Sequence, residues 1–331
     1  MTDIKMNRRN LLTAGTAAGM AAAFGLPTLS DEAMAQAAGK EYVFLSIVTQ
    51  VPFWVDYRNA MKDLEELMGI KATFTGPLDF DTAAQARQLD ELIARRPAGI
   101  LIFPGDPATL APGVERAVEA GIPVTCCIGD IPGSPRSTFL GINGVQAGRV
   151  GGEMLAQAVG GKGKVILGTF PAPSTLERVE GYKQIFAEKY PDIEVVDVVN
   201  DKADPSYAPT AYLQAIQANP DIVGIGGTDG DSGKGAAIAV NEAGRNDIKI
   251  VAMDRNDDML PYIEDGTIHG AVAQKSYLEI FLAFHMMHWQ NTDALKVLPD
   301  WKAAGINPLP ERVETGVMPI TASNVAQFKH V

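Results

Sequence analysis

From residue 42 onward, short apolar runs alternate with amphipathic ones almost without a break, and that alternation leaves few folds open. The runs YVFLSIV (42–48), IKATFT (70–75), GILIF (99–103) and IPVTCC (122–127) form a first series. KVILG (164–168), IEVVDVV (193–199), DIVGIG (221–226), IKIVAMD (248–254) and HGAVAQ (269–274) form a second. Runs this short, β-branched and continuously apolar predict parallel strands covered on both faces. Between them, Tyr57, Ala60, Met61, Leu64, Leu67 and Met68 recur at helical spacing and Gly69 offers a C-cap. Asp81 can cap TAAQARQLDELIARR, Pro107 and Gly121 bracket PATLAPGVERAVEA, and further helices read over 144–159, 174–190, 206–218, 231–243, 256–265 and 276–290. Strict β-α-β alternation predicts parallel, doubly wound sheets. Because it runs twice, on either side of FLGINGVQAGRVGG, in a chain of 331 residues, two similar α/β lobes are expected.

Open α/β sheets bind ligands outside the carboxyl ends of their strands, so two facing lobes collect both sets of strand ends in one cleft. The residues just after the strands are therefore the candidates. The first series offers Gln50, Phe53 and Trp54, then Asp106, Asp130 and Asn143; the second offers Arg178, Thr228 with Asp229, Asp254 and Gln274. Asp and Asn also favour turns and helix caps for purely local reasons. That explanation is poorer for Arg178 and Gln274, and poorest for the adjacent aromatics Phe53 and Trp54, whose exposure would forfeit burial energy. Carboxylates accept from neighbouring hydroxyls, a guanidinium donates as a fork, amides do both, and aromatic rings cover C–H faces. Together these groups suit a neutral polyhydroxylated ligand.

Other chemistries fit poorly. A net charge of -12 with no Lys/Arg cluster argues against nucleic acid, and no run of 18 apolar residues follows the N-terminal segment. GGTDGDSGKG lacks the spacing of a phosphate loop: Thr228 stands where its first glycine belongs and Gly235 where magnesium needs Ser or Thr. Neither G-x-S-x-G nor H-E-x-x-H occurs. His285 and His288 in FHMMHW read as a packed helix face rather than a metal site, and no acid–base pair is marked for catalysis. No metal, cofactor or enzymatic activity is expected. The adjacent Cys126 and Cys127 would need a strained ring to pair, so both are expected as buried thiols.

Asn7-Arg8-Arg9-Asn10-Leu11-Leu12, an Ala/Gly-rich apolar run from Thr13 to Leu29, and Ala33-Met34-Ala35 stand in the order of an export signal. Residues 1–35 are therefore expected to be a signal peptide of twin-arginine type, without a lipid anchor, delivering a free periplasmic protein.

The segments VPFWVDYRNAMKDL, PVTCCIGDIP, GINGVQAGRVGGEML, LERVEGYKQIF, PDIVGIGGTDGDSGKGAAIAV, KIVAMDRND and GAVAQKSYLEI, in this order, resemble the periplasmic sugar-binding proteins of ribose-type ABC importers. The resemblance covers roughly residues 40–320. It implies two Rossmann-like lobes joined by a three-stranded hinge, the first of residues 40–143 plus 275–310 and the second of 144–274 plus 311–331. It implies crossings near Asn143, just after Gln274 and within 311–316. Phe53 and Trp54 match the paired aromatics on the sugar ring, Arg178 the arginine of the second-lobe helix, Asp254 the aspartate closing its strand, and Gln274 the glutamine at the last crossing. The chain departs from the pattern in carrying Ile128-Gly129 where ribose binders commonly have Asp-Arg, with Asp130 shifted, and Thr228 where Asn is usual. The expected function is a monomeric solute receptor that closes on a monosaccharide or sugar alcohol and passes it to an ABC permease. A non-sugar or signalling furanosyl ligand, a carbohydrate-active enzyme, and a sugar-responsive repressor, which would need a helix-turn-helix in place of the signal peptide, are the alternatives.

Overall fold

Each apolar run becomes a strand in the computed structural model, which describes residues 39–292, 295, 300–301 and 303–329. The first lobe is built from β1 (Glu41–Leu45), α1 (Val55–Met68), β2 (Lys71–Thr75), α2 (Thr82–Arg95), β3 (Gly99–Ile102), α3 (Pro107–Glu119), β4 (Val124–Cys127) and β5 (Thr138–Gly141). The second repeats the scheme with α4 (Gly144–Ala158), β6 (Gly163–Thr169), α5 (Pro173–Lys189), β7 (Ile193–Asn200), α6 (Ala208–Ala218), β8 (Ile222–Gly227), α7 (Ser232–Ala243), β9 (Lys249–Met253), α8 (Leu260–Glu264) and β10 (Gly270–Gln274). The chain then returns through α9 (Ser276–Asn291) and ends with β11 (Arg312–Glu314) and β12 (Val317–Ile320).

Strand order is β11-β5-β4-β3-β1-β2 in one sheet and β12-β10-β9-β8-β6-β7 in the other. The two sheets share one winding, so β4 corresponds to β9 and β5 to β10. All pairings are parallel except β10 with β12. Apolar clusters lie on both faces of each sheet, which is why the strands carry no polar alternation.

Local signals act where the sequence puts them. Tyr57, Ala60, Met61, Leu64 and Met68 form the buried stripe of α1, and Gly69, at φ 65°, caps it by donating to the Glu65 carbonyl. Leu67, expected on that stripe, is exposed. Asp81 caps α2, accepting from the Ala84 N–H at 2.8 Å. The helix expected over 256–265 is confined to Leu260–Glu264, because Asn256 instead turns the chain, its side chain donating to the Gly230 carbonyl at 3.0 Å.

Three crossings join the lobes: after β5, between β10 and α9, and between β11 and β12. The third lies at Thr315-Gly316, where Thr315 donates to the Gly141 carbonyl and Gly316 adopts φ 71°. Arg312–Glu314 therefore pairs with β5 of the first sheet, so the boundary expected at residue 311 moves four or five residues later. Cys126 and Cys127 are both buried free thiols, and burial pushes both thiol pKa values up. The export signal expected over residues 1–35 lies outside the described residues.

Candidate functional site

The carboxyl ends of both sheets face a narrow cavity of ≈ 40 Å³, set within ≈ 440 Å³ of empty space that includes its open mouth. The first lobe lines it with Val48, Val51, Phe53, Trp54, Phe103 and Ile128. The second lobe's polar contribution is Ser174, Thr175, Arg178, Asp229, Asp231 and Asp254, with Gln274 at the hinge.

Arg178 sits in the second turn of α5, 3 % exposed. Its Nη1 donates to the Thr228 carbonyl at 2.7 Å, which orients the fork. Asp254 follows β9 at φ 69°, and its Oδ1 accepts from Gln274 Nε2 at 2.7 Å. Asp229 accepts through Oδ1 from the N–H groups of Asp231 (3.0 Å) and Ser232 (2.9 Å), at the start of α7. Among the described residues, ten buried side-chain N and O atoms have no protein partner, and six of them belong to this lining: Trp54 Nε1, Ser174 Oγ, Arg178 Nε and Nη2, Asp229 Oδ2 and Gln274 Oε1. Folded proteins rarely leave such atoms unpaired, so their concentration here marks a surface built for a ligand with both donors and acceptors.

Burial pushes the acids upward. Asp254 is raised to about 6, mainly by burial and against the pull of Arg178; Asp231 is raised to about 8 by burial and then by Asp229, Asp258 and Asp254. Asp229 is also raised by burial, with the Ser232 and Asp231 N–H groups opposing. An acid raised on folding binds more protons in the native state, so its stabilising effect is complete below its unfolded pKa and is lost as pH rises through the folded one. The ligand-free protein is therefore expected to lose melting temperature as pH rises from about 4 to about 8. Asp231→Asn should flatten the upper part of that curve, and parallel curves for the two proteins would refute the coupling.

The aromatic pair divides its work. Trp54 is 1 % exposed and packs against Phe44, Tyr57, Phe74 and Phe103 while still reaching the cavity. Phe53 is partly exposed and lines the rim as well as the cavity. The lobes also touch beyond the cavity. Arg255 donates from Nε and Nη2 to the two carboxylate oxygens of Asp56 at 2.9 and 2.7 Å, and Phe80 meets Phe170 edge-on at 5.5 Å between centroids.

Five other sequence candidates lie outside the lining. Gln50 is exposed. Asp106 and Asn143 cap α3 and α4, accepting from the N–H groups of Thr109 (2.9 Å) and Gln146 (3.0 Å). Asp130 is occupied by a bidentate ion pair with Arg136. Thr228 turns its hydroxyl to the Gly168 carbonyl and serves Arg178 through its own carbonyl. In these positions the local requirements of caps, ion pairs and backbone outweigh any cleft role. Asp229 was legible as a strand-end acid but equally as a cap; Asp231, Ser174 and Thr175 carried no distinguishing signal, and the apolar wall cannot be told from core in a sequence. His288 shares a 3.1 Å hydrogen bond with the Tyr42 hydroxyl, and His285 Nδ1 contacts the Phe281 carbonyl.

Two α/β lobes closing on a mixed polar and apolar cavity define a periplasmic binding protein, and the chain belongs to that family: the periplasmic binding protein domain matches residues 42–290. Among curated proteins it is similar to a xylitol-binding protein of Mycolicibacterium smegmatis, 30% identical over 60% of this chain and 58% of that protein. It is also similar to the ribose import binding protein of Escherichia coli, 24% identical over 81% of this chain and 88% of its relative. Among solved structures, a solute-binding protein from Burkholderia graminis in complex with D-arabinose superposes with a TM-score of 0.80 at 26% identity, covering 89% of this chain and 99% of that one.

Proposed function

We propose that this protein is the solute receptor of an ABC importer, holding a neutral monosaccharide or sugar alcohol between its lobes for delivery to the permease. The observation that carries the reading is the set of buried donors and acceptors without a protein partner on the cavity-lining residues Arg178, Gln274, Ser174 and Trp54. Vicinal hydroxyls each donate and accept, so one polyol can complete all of these groups at once. The relatives' names, xylitol and ribose among them, point to the same ligand class. Contacts from both lobes to one ligand favour the closed arrangement, which the Asp56–Arg255 pair also bridges. No helix among the described residues is long and apolar enough to cross a membrane. A monomer exported by its N-terminal signal and working in the periplasm fits this role.

The test is a thermal-shift panel of aldoses, ketoses, sugar acids and alditols. A true ligand at a hundred times its Kd stabilises by about 2.7 kcal/mol. At least one neutral sugar or alditol should raise the melting temperature by several degrees and be recovered unchanged. Conversion to a product would instead indicate an enzyme, and silence from every neutral polyol would overturn the reading.

A further inference from the structure

The cavity is chemically one-sided, and resting on the polyol-receptor reading we infer that its preferred ligand is a deoxy or C-methyl sugar or polyol, with its methyl or methylene edge against the first lobe and Ile128 as the residue that selects it. Every charged, amide or hydroxyl side chain in the lining comes from the second lobe or the hinge. The first lobe presents Val48, Val51, Phe53, Trp54, Phe103 and Ile128, packed in one apolar cluster, and of these six only Trp54 has a side-chain polar atom, Nε1. A hydroxyl pressed against that wall gives up its water without gaining a side-chain partner, whereas a methyl or methylene group gains contact.

The internal repeat isolates the position responsible. Ile128 follows β4 just as Asp254 follows β9: Ile128 donates to the Leu140 carbonyl of β5 at 3.1 Å, and Asp254 to the Val272 carbonyl of β10 at 3.0 Å. Both stand in the left-handed region, at φ 65° and φ 69°. That conformation suits Asp, Asn and Gly and is unfavourable for a β-branched residue. The second lobe fills the position with the residue type that the backbone favours, and it reaches the ligand space as a carboxylate. The first lobe fills it with isoleucine against backbone preference, 5 % exposed and facing the same cavity. Backbone preference does not account for the isoleucine; packing in the first-lobe apolar cluster holds it there, and that places an apolar side chain where a ligand edge would meet it.

The test uses calorimetric titration of the full chain with matched pairs: L-fucose and L-galactose, L-rhamnose and L-mannose, 2-deoxy-D-ribose and D-ribose, 2-C-methyl-D-erythritol and erythritol. At least one deoxy or C-methyl member should bind at least tenfold more tightly than its hydroxylated parent. Ile128→Asn, which the left-handed backbone accommodates, should shrink or invert that ratio, with melting curves of the ligand-free variant showing that it is folded at the titration temperature. Tighter binding of the parents throughout, or a ratio untouched by Ile128→Asn, overturns the inference and leaves the receptor reading standing. Binding of none of these compounds, nor of any other neutral sugar or alditol, overturns both.

Discussion

Arg178→Ala is expected to weaken binding of the best sugar or polyol by more than tenfold, and by about a hundredfold if both free nitrogens of the fork engage the ligand. A hydrogen bond from a charged donor is worth about 1.5 to 3 kcal/mol, and each 1.4 kcal/mol is a factor of ten in affinity. The fork is held in advance: Nη1 is tied to the Thr228 carbonyl, so Nε and Nη2 pay little entropy to engage a ligand. Its positive charge also lowers the pKa of the buried Asp254 and Asp229 carboxyls. Without it both acids move further up, and a protonated carboxyl offers a ligand hydroxyl one acceptor fewer. Arg178→Lys keeps a charge but not the planar fork, and should lie between the native protein and the alanine variant. Calorimetric affinities at pH 7, with melting curves to show that each variant is folded, measure this; native affinity in Arg178→Ala would remove the residue from the site.

The two-lobed fold was legible because it rests on periodicity. Nine of the apolar runs recur as strands within a few residues of their expected ends, since continuous β-branched runs bounded by helix caps have little alternative. Arg178 and Gln274 were legible as cavity-lining candidates because an arginine and a glutamine at these places serve no turn or cap, and Asp254 only as a strand-end acid, a residue type that its left-handed backbone also favours. Asp106 and Asn143 misled for the converse reason: a side-chain oxygen three residues before a free N–H is already employed. Asp130 could not be judged without knowing that Arg136 folds back on it. Phe53 and Trp54 apart, the apolar half of the cavity was invisible, because Val48, Phe103 and Ile128 satisfy the same pattern as core residues. Only the φ of Ile128 separates it from them, and no pattern of residues reports a dihedral angle.

Gly148→Ala is expected to damage both stability and binding, although the site is reached only through a helix backbone. Helix α4 crosses α5 in backbone contact: a Cβ on Gly148 would overlap the Arg178 carbonyl, and one on Gly181 would overlap the Val145 carbonyl. A Cβ on the neighbouring Gly151 would overlap the side chain of Tyr182, and one on Gly152 that of Ile185, so the run GRVGG is a packing surface. Overpacking typically costs 1 to 3 kcal/mol, and here the obstacle is backbone that cannot rotate away. Alanine recovers about 1 kcal/mol of helix propensity, leaving a net loss of up to about 2 kcal/mol. Relief requires α5 to move outward at the very residue whose guanidinium reaches the cavity, so the ligand contacts of Arg178 shift with it. Urea unfolding should show the loss, and titration under conditions where the variant is folded should show weaker binding as well. Gln157→Ala, on the exposed side of the same helix, should leave both nearly unchanged. Native affinity in folded Gly148→Ala would mean that Arg178 is positioned by Thr228 alone and that the α4–α5 contact serves stability only. Loss of both together would tie the glycine run directly to ligand recognition.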